Sequence, residues 1–105
     1  MLPKITEKAF SSQVEDLLGI FGWLWCHFRP ARTEHGWRTA ITGHKGFVDY
    51  VAIKGERCLF IEIKSNKGKL TESQKEWAEL LSACPGVEYY CWRPGDLESI
   101  AEILR

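Results

Sequence analysis

The chain has 105 residues, 45% of them hydrophobic, with five Trp, five Phe and no net charge. That composition fits one globular domain spanning residues 1–105 with a single core, and it excludes a disordered or collagen-like chain. No apolar run approaches the roughly 18 residues of a membrane span, and Met1 to Lys8 lack the apolar centre of a signal peptide, so no membrane partner and an intracellular location are expected.

Residues 6–20 read as a first helix. Thr6 is its N-cap, and Phe10, Val14, Leu17, Leu18 and Phe21 form its apolar stripe. Gly22 ends it, and residues 23–28 read as a first strand. Residues 29–46 read as a long loop containing Pro30, Gly36 and Gly43. Loops beyond about 12–15 residues in a compact domain are usually functional or mobile. This stretch is basic: Arg29, Arg32, Arg38 and Lys45, with His27, His35 and His44, stand against Glu34 alone. Such a surface suits a polyanion whose phosphates arginine can grip. The plainer reading is a solvated charged loop.

Two strands follow, 47–53 and 58–64, joined by Lys54-Gly55-Glu56-Arg57. Gly55 is first of the two central residues, as a type II′ hairpin prefers. A basic link, Ser65 to Lys69, leads to a second helix over 71–83, where Thr71 and Gln74 have capping-box spacing. Pro85-Gly86 breaks that helix, residues 87–92 read as a fourth strand, and Asp96 caps a last helix through Leu104. The order α-β-β-β-α-β-α predicts an α/β fold, one mixed sheet flanked by helices. The four cysteines lack the close spacing of a zinc site and are expected to be free and buried.

The hairpin carries the most informative pattern. In its expected register paired positions sum to 111, so Asp49 faces Glu62 across the ladder. Directly opposed residues have Cβ atoms about 4.5–5.5 Å apart, and like charges so placed are destabilising without a cation between them. Lys64 shares the face, two residues on. Leu59, Ile61 and Ile63 cover the other face, which makes this a mostly buried central strand, where a charged pair needs a reason. Two carboxylates and an ammonium there suit a divalent metal and an anionic substrate. Taken singly, each has a plainer role: Asp49 as a strand-start acceptor of backbone hydrogen bonds, Glu62 and Lys64 as an ion pair, Gln74 as the capping-box residue.

Helix geometry bears on which acid of the first helix joins them. Glu7 falls roughly 40° from the centre of the apolar stripe and Glu15 about 120° away. Glu7 is thus the acid aimed at the core, although its place in the first turn also suits the positive helix N-terminus. Whether Glu7 or Glu15 completes the site stays open. Most tryptophans are expected in the core. Trp37, in the polar loop, is the exception and suits stacking on a base or an interface.

Asp49 with Glu62-Ile63-Lys64 resembles the core of the PD-(D/E)XK nucleases. The fuller series resembles a stand-alone VRR-NUC domain, the virus-type replication-repair nuclease. That series is Thr6-Glu7, Gln13-Val14, Gly22-Trp23, His27-Phe28-Arg29-Pro30, Gly46-Phe47-Val48-Asp49 and Glu62-Ile63-Lys64, then Gly68-Lys69-Leu70-Thr71, Gln74, Trp77 and Trp92-Arg93-Pro94. It covers nearly the whole chain. Any one motif is weak, and the ordered series is specific. Val48 departs from the family's usual proline.

The resemblance implies a restriction-endonuclease-like core and a metal-dependent DNA endonuclease. Mg²⁺ or Mn²⁺ would be held by Asp49, Glu62 and the Ile63 backbone carbonyl, with Glu7 a further ligand, direct or through water. The cation would acidify a water that attacks phosphorus in line. Lys64 would orient that water and stabilise the phosphate's charge, and Gln74 would support Lys64 or the water. Arg29, Arg32, Arg38 and Lys45 would hold the DNA backbone. Products in this superfamily carry 5′-phosphate and 3′-hydroxyl ends. Small stand-alone members are similar to dimeric Holliday-junction resolvases, which points to a homodimer acting on branched DNA. The rivals are a catalytically silent DNA-binding module and a protein-interaction domain with the same fold, the second allowed by the acidic stretch 71–105.

Overall fold

Helix α1 (Glu7–Ile20) begins where Thr6, in extended backbone, turns its hydroxyl back to accept from Ala9 N at 3.0 Å. It ends in a Schellman motif: Trp23 N donates to Leu18 O at 2.9 Å and Gly22 N to Gly19 O at 3.2 Å. Gly22 supplies the positive φ, 78°, that this reversal demands. Trp23 and Leu18, the apolar pair of that motif, are both buried in the core. The chain therefore enters strand β1 (Leu24–His27) from a fixed point.

The computed structural model describes residues 5–29, 31–38 and 40–105, and of residues 31–33 and 38 the backbone alone. After β1 come β2 (Ala31–Thr33), β3 (Gly36–Arg38), β4 (Tyr50–Lys54), β5 (Arg57–Ile63), helix α2 (Glu72–Ser82), β6 (Glu88–Trp92), a 3₁₀ turn (Pro94–Asp96) and helix α3 (Leu97–Leu104). The fold is mixed α/β, with three helices and one four-stranded sheet in the order β1-β4-β5-β6. β1 and β5 both run antiparallel to β4, and β6 runs parallel to β5.

The hairpin register agrees with the sequence expectation. Tyr50 pairs with Ile61, Ala52 with Leu59 and Lys54 with Arg57, each pair summing to 111. Gly55 has φ 60°, and no described non-glycine residue has a positive φ, so Glu56 does not. That combination belongs to the II′ family of turns and not to I′.

Two expectations are corrected. Residues 29–46 do not form one irregular loop: β2 and β3 make a separate two-stranded hairpin, Ala31 pairing with Arg38 and Thr33 with Gly36. Three-residue strands bonded mainly through backbone need no apolar alternation, so composition hid them. The cysteines are free, but not all buried. Cys58 and Cys91 are half-buried, whereas Cys26 and Cys84 are exposed. Cys26 shares with Leu24 the outward-facing alternation of an edge strand.

The core lies between α1, α3 and one face of the sheet. Phe10, Val14 and Leu18 of α1 and Ile100 and Leu104 of α3 pack with Tyr50, Ala52, Leu59, Ile61, Ile63 and Trp92. α2 lies against β6 on the other side of the helix–sheet arrangement. Asp96 differs in detail from expectation: its carboxylate accepts from Arg93 N at 2.8 Å and closes the 3₁₀ turn, and it makes no side-chain cap to α3.

Candidate active site

Asp49 is held by three backbone bonds. Its N–H donates to Ile61 O at 3.0 Å, its carbonyl accepts from Phe28 N at 2.8 Å, and its carboxylate Oδ2 accepts from Ile63 N at 2.7 Å. The approach to Asp49 is anchored as well. Phe47 packs edge-on against Phe28, Phe60 and Trp77, with ring centroids 5.5, 6.1 and 4.9 Å away. Trp77 Nε1 donates to Lys45 O at 3.0 Å. Gly46 crosses so close to α2 that an added Cβ would stand 2.7 Å from the backbone carbon of Ser73.

Glu62 is the one charged residue among the buried polar groups of the described structure, 2% exposed. Asp49 itself stands at a bend just before the first ladder pair, Tyr50–Ile61, so it is not a ladder partner of Glu62 as the sequence suggested, although the two carboxyls lie close enough to interact. Burial, first, and the Asp49 charge, second, push the Glu62 carboxyl up to about 8, with Lys64 pulling the other way. Burial also raises Asp49, opposed by the Ile63 N–H that favours its charged form. The Asp49 carboxylate is close enough to Glu62 to favour its protonated form. A proton held on Glu62 offsets part of the repulsion between the two groups.

Lys64 Nζ lies 4.0 Å from Glu62 Oε1, at the outer limit of an ion pair. Gln74 reaches the same oxygen: its Nε2 donates to Glu62 Oε1 at 2.9 Å. Its other amide atom, Oε1, accepts from Thr71 N at 2.9 Å, while Thr71 Oγ1 accepts from Gln74 N at 3.2 Å. One end of the Gln74 amide therefore serves the capping box and the other bonds Glu62, whereas the sequence resemblance implies support of Lys64 or the water. Arg93 steadies the link after Lys64, donating through Nη1 to the carbonyls of Ser65 and Gly68, each at 2.6 Å.

Asp49 and Ile63 open onto a pocket of about 610 Å³ between α1 and the sheet. Glu7 stands on its α1 wall, exposed and not turned into the core. Its charge nevertheless raises both Asp49 and Glu62. Arg29 is exposed on the same pocket. Lys45 is exposed on the α2 side, where its carbonyl meets Trp77. Arg32 and Arg38 occupy β2 and β3, and their side chains lie outside the described residues.

A second cluster in this pocket escaped the sequence reading. Glu15 accepts a short hydrogen bond from Tyr50 OH, and its Oε2 lies 3.2 Å from His27 Nδ1. The His27 ring stacks on Tyr50 with centroids 4.0 Å apart. Burial, with the Glu15 hydrogen bond next, holds the Tyr50 hydroxyl above its ordinary range. The signal was Glu15 recurring at two helical turns from Glu7, on the flank of α1 that meets β1 and β4.

Among the described residues, no group of three or more His, Cys, Asp and Glu side chains is arranged to hold a metal ion. The set brought together is the Asp49–Glu62 pair with the Ile63 backbone beside it. That pair fits a hard divalent cation, because it offers oxygen donors and a repulsion that Lys64 at 4.0 Å relieves only in part. No helix among the described residues is long and apolar enough to cross a membrane. Comparison with family models, curated proteins and solved structures returned no match.

Proposed function

We propose that this chain is a divalent-metal-dependent deoxyribonuclease with a restriction-endonuclease-like core of the VRR-NUC type. The observation that carries this reading is buried Glu62 beside half-buried Asp49, close enough for the Asp49 charge to raise Glu62, with Lys64 Nζ 4.0 Å from Glu62 Oε1. A buried carboxylate pair is costly and calls for a compensating charge. Mg²⁺ or Mn²⁺ is the cation proposed, with Asp49, Glu62 and the Ile63 carbonyl as its holders and Glu7 reaching it from the pocket wall. When bound, such an ion supplies Lewis-acid charge and a water acidic enough to attack a phosphodiester.

The chain's own groups supply the rest. The Ile63 N–H fixes one oxygen of Asp49, which leaves the other to face the ligand. Gln74 fixes one oxygen of Glu62 and orients that carboxylate. Lys64 brings positive charge to the oxygens of the reacting phosphate. Arg29, with Arg32, Arg38 and Lys45, is proposed to hold the flanking backbone.

We extend the proposal to branched DNA cut by a homodimer, since a chain of 105 residues has little surface for two arms of a junction. Labelled four-way junction, flap and duplex are incubated with Mg²⁺, Mn²⁺ or EDTA, with Glu62→Ala as control. Cutting that needs both the metal and Glu62 supports the nuclease. Metal-independent cutting, or cutting by Glu62→Ala, overturns it. Binding without cutting supports a silent DNA-binding module, a reading favoured by the exposure of Glu7. A monomer by gel filtration at micromolar concentration, with junctions left whole, removes the dimeric junction reading.

A further inference from the structure

Trp37 is out of keeping with the chain's buried tryptophans. Trp23 and Trp92 are 5% and 3% exposed, whereas Trp37 is 68% exposed. Strand β3 carries it, and its ring lines the same pocket as Asp49 and Glu7. An indole left in water forgoes the burial that makes Trp useful to a core. The pocket has charges of both signs. Glu7, Glu15 and Asp49 are its acids, and Lys8 and Arg29 are its lysine and arginine. At about 610 Å³ it lies in the size range of small-ligand sites.

A flat aromatic face beside cations, in one pocket with Asp49, matches the parts of a single nucleotide. The base meets the indole, and the phosphate meets Arg29 and Lys8. A base inside a duplex already has both faces covered by its neighbours, so the platform can only serve a nucleotide that has left the stack. We propose that Trp37 is a stacking platform for one unpaired DNA base beside the phosphate presented to Asp49 and Glu62. This rests on the nuclease reading of that site and narrows its substrate to DNA with an unpaired nucleotide next to the cut.

The test uses oligonucleotide duplexes with one 2-aminopurine, either paired or extruded as a single-nucleotide bulge. Affinity is measured by anisotropy in Ca²⁺, and cleavage in Mg²⁺. The wild-type protein should bind the bulged duplex about tenfold more tightly than the paired one and quench its 2-aminopurine. Trp37→Ala should abolish that ratio with paired-duplex affinity unchanged, and Trp37→Phe should keep most of it. Equal ratios in wild type and Trp37→Ala, or no quenching by the wild type, overturn the platform. A shift from dimer to monomer in Trp37→Ala assigns the ring to a subunit contact and overturns it too. Should Trp37→Ala fail to fold, wild-type quenching and the Trp37→Phe ratio still decide. The two readings fail separately. A bulge preference without Mg²⁺-dependent cutting sinks the nuclease and keeps the platform; cutting with a ratio indifferent to Trp37 does the reverse.

Discussion

Gln74 Nε2 donates to Glu62 Oε1 at 2.9 Å while the same amide's oxygen accepts the N–H of Thr71. A helix N-terminus and a buried carboxylate are thus tied by one side chain. Fold stability and site geometry are coupled at this residue.

Substitutions at the two ends of that arrangement should separate the effects. Thr71→Ala removes the hydroxyl cap, worth about 1 kcal/mol, and leaves the Gln74–Glu62 bond in place. Its Tm should fall by about 4–8 °C with cleavage retained. Gln74→Ala keeps the hydroxyl cap, which the residue-74 backbone N–H makes, but loses the amide's bonds to Thr71 N and to Glu62, so its Tm should also fall and Mn²⁺ binding should weaken in calorimetric titration. Equal metal affinity in the two variants would contradict this assignment.

Glu62 also sets a pH dependence. Its folded carboxyl titrates at about 8 against an ordinary 4.5, so between those values the folded state holds a proton that the unfolded state has lost. Stability without metal should therefore be full below about pH 4.5 and decline up to about pH 8, on the order of a few kcal/mol. Urea denaturation in EDTA across that window measures it. Glu62→Gln should flatten the slope and be the more stable protein at pH 8.

Binding of a cation should displace that proton. Near pH 7, Mn²⁺ titrations in buffers of different ionisation enthalpy should report release of about one proton per site, and affinity should climb towards pH 8. Proton uptake, or affinity indifferent to pH, would rule out the pair as the binding site.

Lys64→Met should leave the metal bound at saturating concentration and lower cleavage by about 10²–10³-fold, the typical cost of one charge-stabilising donor. A single-turnover assay at saturating Mn²⁺ reads this directly.

Gly46→Ala should destabilise by about 1–3 kcal/mol, because φ 88° is costly for any side-chain-bearing residue. The clash with Ser73 would also push the residue before Gln74 away from β5. Thermal melting and cleavage should fall together, and a wild-type Tm would show that the close approach is dispensable.

The hairpin was legible because its register follows from two facts of local chemistry, a two-residue turn and Gly55 as its first member. The caps at Thr6 and Thr71 were legible because a hydroxyl finds a nearby N–H without help from the rest of the chain. What involved distant segments was not. Helix geometry ranked Glu7 above Glu15 by angle from the apolar stripe. Yet Glu15 is the half-buried one, since Tyr50 and His27 approach α1 from its flank. The β2–β3 hairpin stayed hidden because its residues carry no alternation. For Gln74 the capping box was legible from its three-residue spacing to Thr71, whereas the bond of its other amide end to Glu62 depends on how α2 meets β5 and was not.

Arg93 grips the carbonyls of Ser65 and Gly68, more than twenty residues earlier in the chain. It follows β6, the strand that pairs with β5 and whose Trp92 carbonyl receives Lys64 N. During synthesis the carboxylate hairpin can close as soon as β5 emerges from the ribosome. Its lysine is locked only after residue 93 has cleared the exit tunnel. A nascent chain would thus own the acids before the backbone that carries Lys64 is fixed.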